Sequence, residues 1–85
     1  MNKPIEYTNN KLIELYPGLS WVFNGVLFTC ERIESFLWQR SYVITAKETG
    51  HHNIHALRVN RNSNRLRVED FYQTYVKFCK SRDFL

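Results

Sequence analysis

Glycine, proline and cysteine are scarce in this chain, and each scarcity removes a class of protein. There are three glycines and two prolines in 85 residues. Gly25 completes an Asn-Gly pair, Gly18 follows Pro17, and Gly50 sits in a polar turn. None is left for the glycine-rich loop that cradles nucleotide phosphates ahead of a helix, so no nucleotide cofactor is expected. The two cysteines, Cys30 and Cys79, form no Cys-x-x-Cys pair. Reduced, buried thiols in a cytosolic protein are the default for such residues, with a disulfide between them left open. No apolar run approaches the roughly 20 residues that span a bilayer. The longest, Trp21 to Cys30, is broken by Asn24-Gly25, and the first eleven residues lack the apolar stretch of a secretory signal. No membrane partner is expected, and the cytoplasm is the expected compartment.

What the chain does have is aromatic content and a lopsided charge. At 44% apolar and 15% aromatic, it carries the composition of a folded chain, and its length suits one domain over 1–85. Residues 1–48 balance five bases (Lys3, Lys11, Arg32, Arg40, Lys47) against five acids (Glu6, Glu14, Glu31, Glu34, Glu48). Residues 49–85 hold seven bases against three acids, Glu69, Asp70 and Asp83, so the net charge of +4 comes from the second half. Arg58, Arg61, Arg65 and Arg67 follow one another with no acid between them. Arginine offers phosphate a planar fork of donors that stays charged at any relevant pH. A local cluster of arginines is the footprint of a polyanion binder, whereas a surface built for solubility mixes both signs. Lys77, Lys80 and Arg82 would flank such a ridge.

The patterning predicts an α+β fold. Residues 1–9 read as a short polar arm. Asn9 or Asn10 can cap a short helix with Leu12, Ile13, Leu15 and Tyr16 on its apolar side, stopped by Pro17-Gly18. Asn24-Gly25 between β-branched and aromatic residues predicts a hairpin of strands at 20–23 and 26–32. A third strand is expected at 36–47 and a fourth at 54–60, with turns at 48–53 and 61–64. Residues 65–68 either add a fifth short strand or lead straight into a helix. Val68, Phe71, Tyr72, Tyr75, Val76 and Cys79 recur at helical spacing, with Glu69 and Asp70 at the start and Lys77, Lys80 and Arg82 toward the end, as the helix dipole favours. Successive strands with short turns imply an antiparallel sheet of four strands, or five. The C-terminal amphipathic helix would pack on one face and the short N-terminal helix beside it.

Three constellations could carry chemistry. His51, His52 and His55 suggest a metal site or a general base for RNA cleavage, but no neighbouring ligand set completes the former. On a strand, His51 and His55 would stand roughly 13 Å apart. Turn histidines are the plainer reading, with no metal and no catalytic residue. Trp38 and Tyr42, with Arg40 between them, share a strand face and could stack bases, although strand aromatics more often belong to the core. The start of the last helix reads Val68-Glu69-Asp70, acidic where double-stranded-RNA-binding domains are basic. That argues against membership of that family.

In size, basicity and overall style the chain resembles small accessory proteins of T-even-type phages, among them RNA-binding inhibitors of type III toxin–antitoxin endoribonucleases. The resemblance implies RNA-dependent association with a host toxin ribonuclease in the host cytoplasm, and it transfers no functional residue. The expectation is a non-enzymatic RNA-binding protein using Arg58, Arg61, Arg65, Arg67, Lys77, Lys80 and Arg82, with self-association left open. The alternatives are a small toxin-type endoribonuclease using His51, His52 or His55 with an arginine, and a protein–protein inhibitor with a basic contact surface.

Overall fold

Asn24-Gly25 turns the chain as its backbone preferences require. Both residues have positive φ, 55° and 80°, and Phe23 pairs with Val26 across the turn. Around this hairpin a computed structural model, describing residues 3–83, builds eight elements. They are β1 (Ile5–Tyr7), β2 (Leu12–Glu14), β3 (Ser20–Phe23), β4 (Val26–Phe36), β5 (Gln39–Glu48), β6 (Ile54–Asn60), β7 (Arg65–Arg67) and α1 (Val68–Asp83). Five strands form one sheet in the order β1-β3-β4-β5-β6, and β2 pairs with β7 in a second.

This corrects the expected four-stranded antiparallel sheet with an N-terminal helix. The arm at 1–9 contributes β1, which runs parallel to β3, so the large sheet is mixed. No N-terminal helix forms among the described residues. Leu12, Ile13, Leu15 and Tyr16 fit a helical face or an alternating strand equally well, and the alternation wins: Ile13 and Leu15 are buried while Leu12 and Tyr16 are exposed. Their partner is remote. Ile13 lies opposite Leu66 on β7, and Leu15 N–H donates to the Asn64 carbonyl at 2.6 Å. Residues 65–67 are thus a strand, but of the small sheet. Asn10 does act as a helix cap, on the other helix: its Oδ1 accepts from the Glu69 N–H at 3.1 Å, satisfying an orphan donor in the first turn of α1.

β4 is longer than expected because its alternation changes phase. Val26, Phe28 and Cys30 point into the core, and the register then shifts between Cys30 and Arg32. Glu31 is the extra residue of a β-bulge, after which Ile33 takes the core side opposite Tyr42. Beyond it the strand continues to Phe36, and Leu37-Trp38 turn directly into β5. The strand expected at 36–47 is therefore β5 over residues 39–47, but its first three residues belong to the end of β4 and the turn. Leu37 holds this turn with φ of 56°, a conformation in which an L-residue pays about 1–2 kcal/mol.

The helix packs on one face of the large sheet through rings. Phe71 meets Trp21 and Phe28 edge-on at 6.1 and 5.3 Å, and Phe28 also meets Tyr75 at 5.6 Å. Val68, Phe71 and Tyr75 are buried, and Tyr72, Val76, Phe78 and Cys79 are packed beside them, which matches the expected helical stripe with Phe78 added. Among the described residues, no helix is long and apolar enough to cross a membrane.

Candidate nucleic-acid interface

The arginines that stand together in sequence are parted by the fold. Arg58 lies on the sheet face away from the helix, in a cross-strand row with Val43 and Arg32. Both Arg58 and Arg32 hold the Glu34 carboxylate; the Arg32 Nε contact is 3.0 Å. Glu34 donates nothing in return, and these two guanidinium groups, Arg32 first, hold its carboxyl below the usual carboxylate range. An acid distant in sequence therefore neutralises an arginine that has no acid near it in the chain.

Arg61 curls over the 61–64 turn, its Nε donating to the Ser63 carbonyl at 3.0 Å and an Nη to the Arg65 carbonyl. Arg65 and Arg67 flank the buried Leu66 on β7, opposite Glu14 and Leu12. An Arg67 Nη reaches the Asn10 carbonyl at 3.4 Å. Lys77 and Lys80 are exposed on α1. Arg82 lies in the last turn of α1, and its side chain lies outside the described residues. The expected single ridge is thus three surfaces: Arg58 on the open sheet face, Arg61 with Arg65 and Arg67 at the turn and small sheet, and the helix lysines.

A different group of residues converges at the end of the β4–β5 hairpin. Phe36, Leu37 and Trp38 are 76, 74 and 82% exposed, three large apolar side chains in succession. Two clefts meet at Trp38. One, of about 260 Å³, is walled by Gln39, Arg40, Asn60, Arg61 and Asn62. The other, of about 300 Å³, shares Gln39, Arg40 and Asn62 and adds Ser35 and Leu37. Neither has a carboxylate in its wall. Arg40 donates to the Tyr42 hydroxyl at 3.4 Å, and neither Arg40 nor Arg61 has an ion pair among the described residues. The stacking platform expected from Trp38 and Tyr42 is half present: Tyr42 is fully buried, whereas Trp38 is exposed because the chain turns there.

Trp38 was misplaced on a strand by composition, since Leu37-Trp38 contains no turn-forming residue. Gln39, Asn60 and Asn62 were missed altogether. The available signal was the run Phe36-Leu37-Trp38 itself, an apolar triplet between Ser35 and Gln39-Arg40 that no alternation can bury.

The histidines separate. His52 is exposed in the turn before β6. His51 lies 3.7 Å from a Glu48 oxygen. His55 is on β6 and faces the helix, its ring 6.3 Å from Tyr75 and 6.1 Å from Phe78. His51 and His55 nevertheless line one cleft of about 220 Å³ with Glu48, Asn53, Tyr75 and Cys79. There the Tyr75 hydroxyl donates to Glu48 Oε1 at 2.9 Å. Burial, then the Cys79 thiol and the Glu48 carboxylate beside it, push the Tyr75 phenol far up, so it remains a protonated donor. Among the described residues, no group of three or more His, Cys, Asp or Glu is arranged to hold a metal ion. Both cysteines are free thiols.

No family model, curated protein or solved structure matches the chain.

Proposed function

We propose that the protein binds RNA without cleaving it, through the end of the β4–β5 hairpin and the adjoining 61–64 turn. One observation carries the reading: Trp38 is 82% exposed where two acid-free clefts meet between Arg40 and Arg61. Guanidinium groups recognise phosphate, an exposed indole stacks on bases, and side-chain amides such as Gln39 and Asn62 pair with base edges. Arg65 and Arg67, which follow the same turn, extend the positive surface. Arg58, held by Glu34, is a lesser contributor. Together with the resemblance in size and basicity to phage inhibitors of toxin endoribonucleases, this supports a role in the host cytoplasm as an RNA-dependent inhibitor of such a nuclease.

The cleft of Glu48, His51, His55 and Tyr75 favours a second reading, an endoribonuclease, because histidine can move a proton near neutral pH. Incubation with end-labelled RNA separates the two. Retarded, intact RNA supports binding alone. Fragments that vanish in His51→Ala or His55→Ala protein would establish the nuclease.

A further inference from the structure

We infer that the RNA is engaged through unpaired bases, against which the apolar end of the β4–β5 hairpin stacks; this rests on the RNA-binding reading above. Three neighbouring large apolar side chains, exposed at a hairpin tip, are an expense that folding alone does not explain. The backbone adds to that expense. Leu37 stands at positive φ, where glycine would relieve the strain, and its side chain is 74% exposed, so burial does not repay it.

The chemistry of the clefts selects the ligand. An A-form duplex presents phosphates and 2′-hydroxyls on its outside and keeps its base faces inside the stack. Arg40 and Arg61 could meet such a surface, but Phe36, Leu37 and Trp38 would find nothing apolar there. An unpaired base offers two π-faces to Trp38 and an unused hydrogen-bonding edge to Gln39 and Asn62, with its phosphates left for the arginines. Stacking tolerates any base, so the preference is for single-stranded character over a particular sequence.

The two tryptophans make the test direct. Trp21 is fully buried and Trp38 is exposed, so quenching by a stacked base reports Trp38. The full chain is titrated with an unstructured 12-nucleotide RNA, with a blunt duplex of that sequence, and with phosphatidylglycerol vesicles. The expected result is at least roughly tenfold tighter binding of the single strand, with quenching of Trp38. Trp38→Ala, which lacks the reporting indole and is read by filter binding of labelled RNA, should lose roughly tenfold in single-strand affinity at an unchanged melting temperature, while duplex affinity stays as it was. Phe36→Ala provides a second, smaller loss by the same readout.

Equal affinity for strand and duplex, unaffected by Trp38→Ala, would overturn the inference and leave RNA binding by the arginines standing. Binding to neither RNA would remove both. A blue shift of Trp38 with vesicles alone would make the tip a membrane contact and likewise overturn both.

Discussion

The large sheet contains two two-residue hairpin turns that solve one geometric problem with opposite materials. Asn24-Gly25 uses residues that accept positive φ, and the side chains next to it, Phe23 and Val26, are buried. The Leu37-Trp38 turn needs positive φ only at its first position, but fills it with a leucine that resists it, and the flanking Phe36 is exposed. The first turn lies near the part of the sheet that the helix rings cover. The second ends a hairpin that has passed the Glu31 bulge and carries its apolar side chains into solvent. On the proposed RNA-binding reading, the first turn serves folding and the second serves contact. A chain built for stability alone would place Gly or Asn in both turns.

Trp38→Ala tests that division with the largest expected effect. It should cost about 1–3 kcal/mol of RNA affinity, yet change stability by no more than about 0.5 kcal/mol, as exposed substitutions generally do. Isothermal titration and thermal melting of the same protein read both quantities. A large loss of stability would place Trp38 with the folding residues and collapse the distinction between the turns. The accompanying charge test is the salt dependence. Single-strand phosphate contacts by Arg40 and Arg61 contribute about −1.4 to the log–log slope at roughly −0.7 each, and a contact by Arg65 or Arg67 adds the same increment. Removal of either arginine should flatten it by about 0.7.

Gly25→Val comes next. A β-branched residue forced to the positive φ of Gly25 should destabilise the fold by about 1–2 kcal/mol, read as a lowered denaturation midpoint. Leu37→Gly should move stability the other way. It relieves strain of about 1–2 kcal/mol, less up to about 1 kcal/mol for the greater freedom of glycine in the unfolded chain. A stabilised Leu37→Gly protein with weakened RNA binding would be the clearest sign that the strain serves contact.

These two turns also mark what the sequence could and could not reveal. The Asn24-Gly25 hairpin and the C-terminal helix were legible because their signals are local: a turn dipeptide, and a stripe of apolar residues at helical spacing. The Leu12–Glu14 strand was not, because a segment of mixed periodicity takes its structure from its partner, and Arg65–Arg67 lies at the far end of the chain. Asn10 was legible as a cap but not as a cap for α1. The site suffered in the same way. Arg58 through Arg67 form one cluster on paper, but Glu34 reaches Arg58 only after β4, β5 and β6 have paired. Trp38 was noticed as an aromatic and misplaced, because a bulge at Glu31 and a turn without turn residues leave no compositional mark.

Glu34 supplies the smallest test, on the same hairpin. Its carboxyl is held below its ordinary value of 4.5 by Arg32 and then Arg58. The unfolded chain therefore takes up this proton before the folded one does. The resulting stabilisation is complete above about pH 4.5 and drains away as the pH falls through the lowered folded value. Because the group is exposed, solvent screens most of the gain, and the change in melting temperature should be small. Glu34→Gln should abolish that part of the acid dependence and leave the neutral-pH fold intact. It also releases both Arg32 and Arg58 from their carboxylate. If the open sheet face lies against RNA, the variant should gain one or two phosphate contacts, from Arg58 and Arg32, and a salt slope steeper by about 0.7 for each. An unchanged slope would confine the interface to the hairpin end and the 61–64 turn, and leave Arg58 to hold β6 to β4 across β5.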